Sequence, residues 1–341
     1  QRHEANDNAA YLREQVKTLI KTIENTDYNK ARTAAMALMV LPRRYTAPPL
    51  LKLLRDSNPL AKQNAVWAPG FRRDDSMAAT IKSLLKDRNT EVRRETVLAL
   101  KRLNASQSAP ALMEALKTET EQGVKYDIAR TLGTFGDRGA VFALMNVLTK
   151  EKSWYVKSGC VEALGNIGGD MAMNALAKIL VTDAGEDAGW ARTKAAWALT
   201  AIGPKSIPLL VRALNDKEEG TRRRAEWALV KLGAPAVKAL ISSLREINTY
   251  TRERAAQTLG WIGNESAVTS LIWALKDKEP AVVSSAAWAL GRIGSPKALA
   301  ALQELVNNEN VDVRENAAEA IERIMSNKEK MAYYTETRQK P

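Results

Sequence analysis

Small and apolar residues return along this chain at the spacing of a helix, not of a strand. Ala191, Ala195, Leu199 and Ile202 fall at i, i+4, i+8 and i+11, which draws one stripe down an α-helix. Gly203 follows directly, where a left-handed C-cap belongs. A shorter apolar run, Ile207, Leu210, Val211 and Leu214, comes next and leads into an acidic or amide-rich turn. The pattern predicts a pair of short helices per unit.

The pair repeats. Arg192-Thr-Lys-Ala-Ala-Trp-Ala-Leu-Thr-Ala-Ile-Gly203 returns as Arg222-Arg-Arg-Ala-Glu-Trp-Ala-Leu-Val-Lys-Leu-Gly233 and as Arg252-Glu-Arg-Ala-Ala-Gln-Thr-Leu-Gly-Trp-Ile-Gly263. Val283-Ser-Ser-Ala-Ala-Trp-Ala-Leu-Gly-Arg-Ile-Gly294 is the next copy. The closing glycines, Gly136, Gly168, Gly203, Gly233, Gly263 and Gly294, stand 32, 35, 30, 30 and 31 residues apart. Weaker copies led by Lys62, Arg93 and Arg314 bring the total to nine or ten units over residues 26–326. One helix pair cannot bury its apolar face alone, so a fixed period of this size predicts units stacked into a superhelix.

These residues resemble HEAT repeats, in the short form named after phycobilisome lyases, whose pattern is x-(V/A/T)-R-x-x-A-A-x-A-L-G-x-I-G. The resemblance covers nearly the whole chain. It implies an all-α fold, a right-handed α-α superhelical solenoid of about nine to ten helix pairs. It extends to bacterial scaffold or assembly subunits such as those that order nitrite oxidoreductase into filaments.

The ends and two irregularities complete the expected organisation. Residues 1–25 place Leu12, Val16, Leu19, Ile20 and Ile23 on one face, as a capping helix would, and residues 327–341 form a polar tail without an apolar stripe. Pro69, within Ala68-Pro69-Gly70-Phe71, is expected to end or kink its helix. The insertion Thr182–Gly189 is expected to protrude as a loop. A chain that opens on Gln1 is expected to be processed or truncated, and removal of an export signal on the way to an exterior or organelle lumen is one route.

Charge changes the picture in two places. The 341 residues include 51 Lys and Arg against 39 Asp and Glu, a net +12, which points toward acidic partners. Part of that charge is periodic. An acid precedes the repeat's base by six residues in Asp56/Lys62, Asp87/Arg93, Glu119/Lys125, Glu151/Lys157, Glu186/Arg192, Asp216/Arg222 and Glu246/Arg252. In the HEAT family such acid and base positions link neighbouring repeats as a structural ladder. The excess is concentrated elsewhere: eight bases against Asp56 lie between Ala31 and Arg73. Arg43, Arg44, Arg72, Arg73, Lys101 and Arg102 fall near the ends of successive second helices. They are read either as a basic edge that docks an acidic partner or as cations that complement helix C-termini.

Aromatic placement adds a candidate surface. Trp67, Trp197, Trp227 and Trp288 share one repeat position, where Gln257 interrupts them. At about 100° per residue, Trp197 lies roughly 200° from Ala195 while Leu199 and Ile202 stay within about 40° of it. The ring therefore points away from the apolar stripe. In HEAT solenoids the second helices line the concave surface, which makes these rings either a binding face for protein or fillers between repeats.

Familiar reaction chemistry is missing. One Cys and one His build no disulfide framework, Cys/His metal site or Ser-His-Asp triad. Cys160 occupies a small-residue core position, and Gly165-Asn-Ile-Gly168-Gly169 is the repeat's own C-cap, not a phosphate loop. A non-catalytic scaffold is expected, without cofactor, gripping a protein partner with an acidic surface, a large enzyme complex included, and open to self-association. A nucleic-acid-binding protein resembling HEAT-like DNA glycosylases is the alternative, and a bilin lyase the third.

Overall fold

The computed structural model describes residues 2–24, 27–72, 77–182 and 188–338, with side chains described in these segments except at 2–7, 28, 69–72, 182, 188 and 327–338. Helices alternate between two layers along the described residues. The long, second helices of the repeat are Tyr28–Val40, Pro59–Arg72, Thr90–Arg102, Gln122–Phe135, Trp154–Ile167, Ala188–Ile202, Glu219–Leu232, Thr249–Ile262, Pro280–Ile293 and Val311–Arg338. We call them inner helices. Between them lie shorter outer helices such as Ala109–Thr118, Ile207–Ala213 and Val268–Ala274. The architecture is an all-helical α-α solenoid. It divides into two compact units, residues 1–175 and 176–341.

The stripe read from the sequence becomes the core. Ala191, Ala195 and Leu199 are buried in unit 2, as are Val156, Cys160 and Leu164 in unit 1. All six closing glycines adopt positive φ. In the unit led by Arg93 that role passes to Asn104, at φ 52°, because an Asn tolerates the left-handed region better than other L-residues.

A second glycine, three residues before the cap, sets how closely inner helices approach. A Cβ on Gly133 would sit 2.6 Å from Ala163 Cα, one on Gly260 would sit 2.8 Å from Ala289 Cα, and one on Gly291 would sit 2.6 Å from Ala320 Cα. These helices meet backbone to backbone. Lys101, Thr200 and Val230 hold the same position in other units, and their helices pack less intimately against the next inner helix. The Glu219–Leu232 and Thr249–Ile262 pair is the loosest of the consecutive inner pairs within unit 2.

The helices run further along the chain than the pattern alone suggests. The inner helix continues through Pro69 to Arg72. The last helix runs on from Val311 to Arg338, through most of the segment expected to be a tail. The insertion at Thr182–Gly189 falls largely outside the described residues, and its end, from Ala188, already belongs to a helix. At the other end, Arg2–Ile23 packs on Tyr28–Val40 and Arg43–Leu53 and buries Val16 and Ile23.

Candidate functional site

The acid-base ladder exists, with an offset that the sequence hides. Five of the bases reach an acid of the following unit, 25 or 26 residues on. Arg93 grips Glu119 with two hydrogen bonds, Nε to Oε2 and Nη2 to Oε1, both 2.8 Å. Arg252 grips Asp277 in the same way at 2.7 and 2.9 Å. Lys125 donates to Glu151 at 2.7 Å, and Lys62 pairs with Asp87. Arg192 pairs with Glu218.

The acid six residues before each base contributes differently. Its backbone carbonyl accepts from the arginine, as Asp87 O does from Arg93 Nη1 at 3.0 Å and Glu246 O from Arg252 Nη1 at 3.0 Å. Its carboxylate can close the local turn, as Asp216 Oδ1 does by accepting from Glu218 N at 2.9 Å. Burial raises the carboxyls of Asp87, Glu119 and Asp277, and the hydrogen bonds and charge of their basic partners more than reverse it, leaving all three below their ordinary values. The hydrogen bond from Lys125 lowers Glu151 likewise.

The rung at Arg222 lacks its carboxylate. Arg222 Nη1 donates to the Asp216 and Lys217 carbonyls at 2.7 and 2.9 Å, and its guanidinium lies 5.3 Å from the centroid of the Tyr250 ring. Its Nε is buried without a hydrogen bond, while the Glu246 side chain is exposed.

On the outward side of the inner helices, the two units differ. In unit 1 the position that holds tryptophan elsewhere holds Arg130 and Glu162, and these two pair across adjacent helices at 3.0 Å. Arg94 pairs with Asp127 at 3.0 Å, and Tyr126 stacks on Tyr155 with centroids 4.1 Å apart. Trp67, at the same position in an earlier unit, is only 5% exposed and lies under Arg32, 4.7 Å from its ring centroid. It is a packed side chain and leaves the set of outward rings.

In unit 2 the rings are open. Trp197 is 48% exposed and Trp227 40%, with centroids 6.2 Å apart. They border a groove of about 420 Å³ with Thr193, Ala196, Gly220, Arg223 and Arg224, between two helices that Thr200 keeps from close contact. Trp288 is half-buried and meets the 49% exposed Trp261 edge-on at 5.1 Å. Comparison of equivalent repeat positions does not pick out Trp261. It stands four residues after Gln257, one turn along the same helical face, so the ring lost at Gln257 reappears there. Trp273, the most exposed tryptophan, lies on an outer helix.

Cations accompany the rings. Lys194 Nζ lies 4.5 Å from the Trp197 centroid, and the Arg292 guanidinium 4.3 Å from Trp261 and 5.3 Å from Trp288. Arg224 Nε donates to Thr193 Oγ1 at 2.9 Å. Among the described residues none of these three meets a carboxylate. Arg223 and Arg254, by contrast, are held by Glu219 and Glu226. Burial raises the Glu226 carboxyl even against the opposing charge of Arg254.

The basic edge is only partly assembled. Arg43 and Arg44 are exposed but open the helix Arg43–Leu53, where the helix dipole disfavours cations. Lys101 and Arg102 close Thr90–Arg102, both half-buried, and Arg102 Nη2 is bonded to Glu95 at 2.5 Å. The side chain of Arg72 and all of Arg73 lie outside the described residues. Burial pushes the Cys160 thiol up to about 12. Among the described residues no cluster of His, Cys, Asp and Glu is placed to hold a metal, and no helix is long and apolar enough to cross a membrane.

A solenoid of stacked helix pairs with exposed tryptophans on its inner helices defines the general class, a helical repeat protein. The family model for HEAT repeats matches residues 16–100, 47–132, 110–192, 185–248 and 237–322, and the chain belongs to the HEAT-repeat family. No curated protein is similar to it in sequence. Among solved structures it is similar to Kap121p, at 15% identity and a TM-score of 0.53, covering 94% of this chain and 42% of that one. The karyopherin Kap121p bound to the SUMO protease Ulp1p matches at 15% identity and a TM-score of 0.56, over 92% and 41%. The chain thus spans about two-fifths of these karyopherins, and the likeness is one of fold. Human deoxyhypusine hydroxylase matches over 94% of this chain and 99% of its own, at 20% identity, with a TM-score of 0.32 that carries no argument.

Proposed function

We propose that the protein is a non-catalytic scaffold that holds a protein partner on the inner helices of unit 2. The observation that carries this reading is the face formed by Trp197, Trp227, Trp261 and Trp288 beside Lys194, Arg224 and Arg292. Large rings left partly open to water are strong interface anchors. Cations without carboxylates of their own favour an acidic partner. Structures of Kap121p in complexes with other proteins support the reading at the level of what this fold does elsewhere. The arrangement supplies no pair of reacting groups. In its wider form, the proposal has the scaffold order a larger assembly, an enzyme complex or filament included, with self-association of the solenoid ends.

The test is affinity capture from a native extract with the full chain and with Trp197, Trp227 and Trp288 all replaced by Ala, read by mass spectrometry and nucleic-acid stain. A stoichiometric protein that is lost with the variant supports the scaffold. Unchanged capture by a variant of unchanged helix content removes the inner-face version. Nucleic acid alone, released steeply by salt, turns the reading to phosphate contacts and stacked bases instead.

A further inference from the structure

The rings of unit 2 do not form a continuous strip. Trp197 and Trp227 make one pair across the helices Ala188–Ile202 and Glu219–Leu232. Trp261 and Trp288 make a second across Thr249–Ile262 and Pro280–Ile293. Between the pairs the surface is polar and already satisfied. Arg254 Nη1 donates to Glu226 at 3.0 Å, and Gln257 Nε2 donates to Ser285 Oγ at 3.1 Å and Glu253 Oε1 at 3.3 Å. Each ring pair has its own cation without a carboxylate, Lys194 and Arg224 at the first and Arg292 at the second.

Two aromatic clamps, each beside positive charge and separated by a strip with nothing to offer, fit a ligand with two anchors. We infer that the occupant is an extended acidic segment of a protein, carrying two apolar or aromatic side chains that pack on the exposed faces of the two ring pairs, with carboxylates next to each. This rests on the scaffold reading and deepens it. The spacing follows from helix geometry. Packed helices lie about 8–10 Å apart, and the clamp centres are two helix steps apart, about 16–20 Å. Extended chain advances about 3.3 Å per residue, so the anchors stand about six residues apart. The inner-helix face of a solenoid has no free strand edge to pair with, so the side chains and their interval carry the specificity. Coupling two weak anchors through a short linker raises affinity well above either alone, as long as the linker spans both sites.

The experiment uses the full chain and fluorescein-labelled peptides on a Glu/Ser background, with two Phe placed about three, six, nine or twelve residues apart, a single-Phe control and a Lys/Ser counterpart. Binding is followed by anisotropy at low and high salt. The expected result is tightest binding near six, at least about tenfold tighter than the single-Phe control and weakened by salt. Trp261→Ala alone, and Trp197→Ala with Trp227→Ala, should each reduce the best peptide to the level of that control without loss of helix content. Equal affinity at every spacing overturns the two-clamp inference and leaves the scaffold reading standing. So does failure of every peptide where the extract yields a protein that is lost with the tryptophan variant. Equal binding of the Lys/Ser counterpart overturns the acidic character. Binding of an oligo(dT) probe tighter than any peptide overturns this inference and the scaffold reading together.

Discussion

At one position of the repeat, unit 1 carries Arg130 and Glu162 after the buried Trp67, and unit 2 carries Trp197, Trp227 and Trp288 around Gln257. In unit 1 the two side chains close on each other across the helix boundary, and Arg94 and Asp127 do the same beside them. In unit 2 the rings stay open, and Lys194, Arg224 and Arg292 beside them find rings, a hydroxyl and a carbonyl in place of carboxylates. The scaffold is the same in both. A solenoid fixes where a side chain points and leaves its chemistry free, so one stretch satisfies its own outward positions while another leaves them available.

The largest test of that contrast compares tryptophans at equivalent positions. Trp67→Ala is expected to cost about 3–5 kcal/mol, as for a buried aromatic, and Trp197→Ala less than about 1 kcal/mol, both read from urea unfolding. Similar losses would mean that Trp197 is also packed.

Next come the ladder rungs. Arg252→Ala strands the half-buried Asp277 and is expected to cost about 2–3 kcal/mol, whereas Arg222→Ala, which strands no carboxylate, costs about 1–2 kcal/mol. The pH dependence has a definite sign. Asp87, Glu119, Glu151 and Asp277 have folded values below their ordinary 3.8 for Asp and 4.5 for Glu. Their contribution is complete above those values and is lost as pH falls through the lower folded ones. Acid titration of the melting temperature should therefore show a loss below about pH 4.5 that Arg252→Ala makes shallower. An unchanged slope would assign acid sensitivity to other groups.

Gly260→Val drives a side chain into Ala289 and Trp288 and is expected to cost about 2–3 kcal/mol. A melt shifted by less than a degree would show that the helices separate easily there. The smallest effect belongs to the exposed pair of unit 1. Arg130→Ala or Glu162→Ala should change stability by about 0.2–1 kcal/mol, and less in high salt. A larger value in a double-mutant cycle would give that face a structural role.

The fold was legible because its signals are local and repeated. The glycine caps, the small-residue stripe and the period of about thirty residues appear as read, and the family match agrees with them. The ladder was legible in composition and not in pairing. Arg93 and Asp87 lie six residues apart, yet the guanidinium takes the Asp87 carbonyl and the Glu119 carboxylate, a choice set by how units stack. Helical angle alone places Trp67 and Trp197 alike. Burial separates them, because it depends on neighbours such as Arg32 that no single helix contains. Trp261 was hidden by strict comparison of equivalent positions, although its i+4 relation to Gln257 was in view.

The missing carboxylate at Arg222 has a mechanical meaning. Within unit 2 it falls between Glu219–Leu232 and Thr249–Ile262, the pair that also lacks the close glycine contact. In a stack held by nearest-neighbour interfaces, tension is shared equally and failure is not. If unit 2 is pulled from its ends, this joint should yield first, as an early low-force step before the interfaces sealed by Gly260 and Gly291. It lies in the gap between the two ring pairs, so stretching would change their separation before it unfolded either.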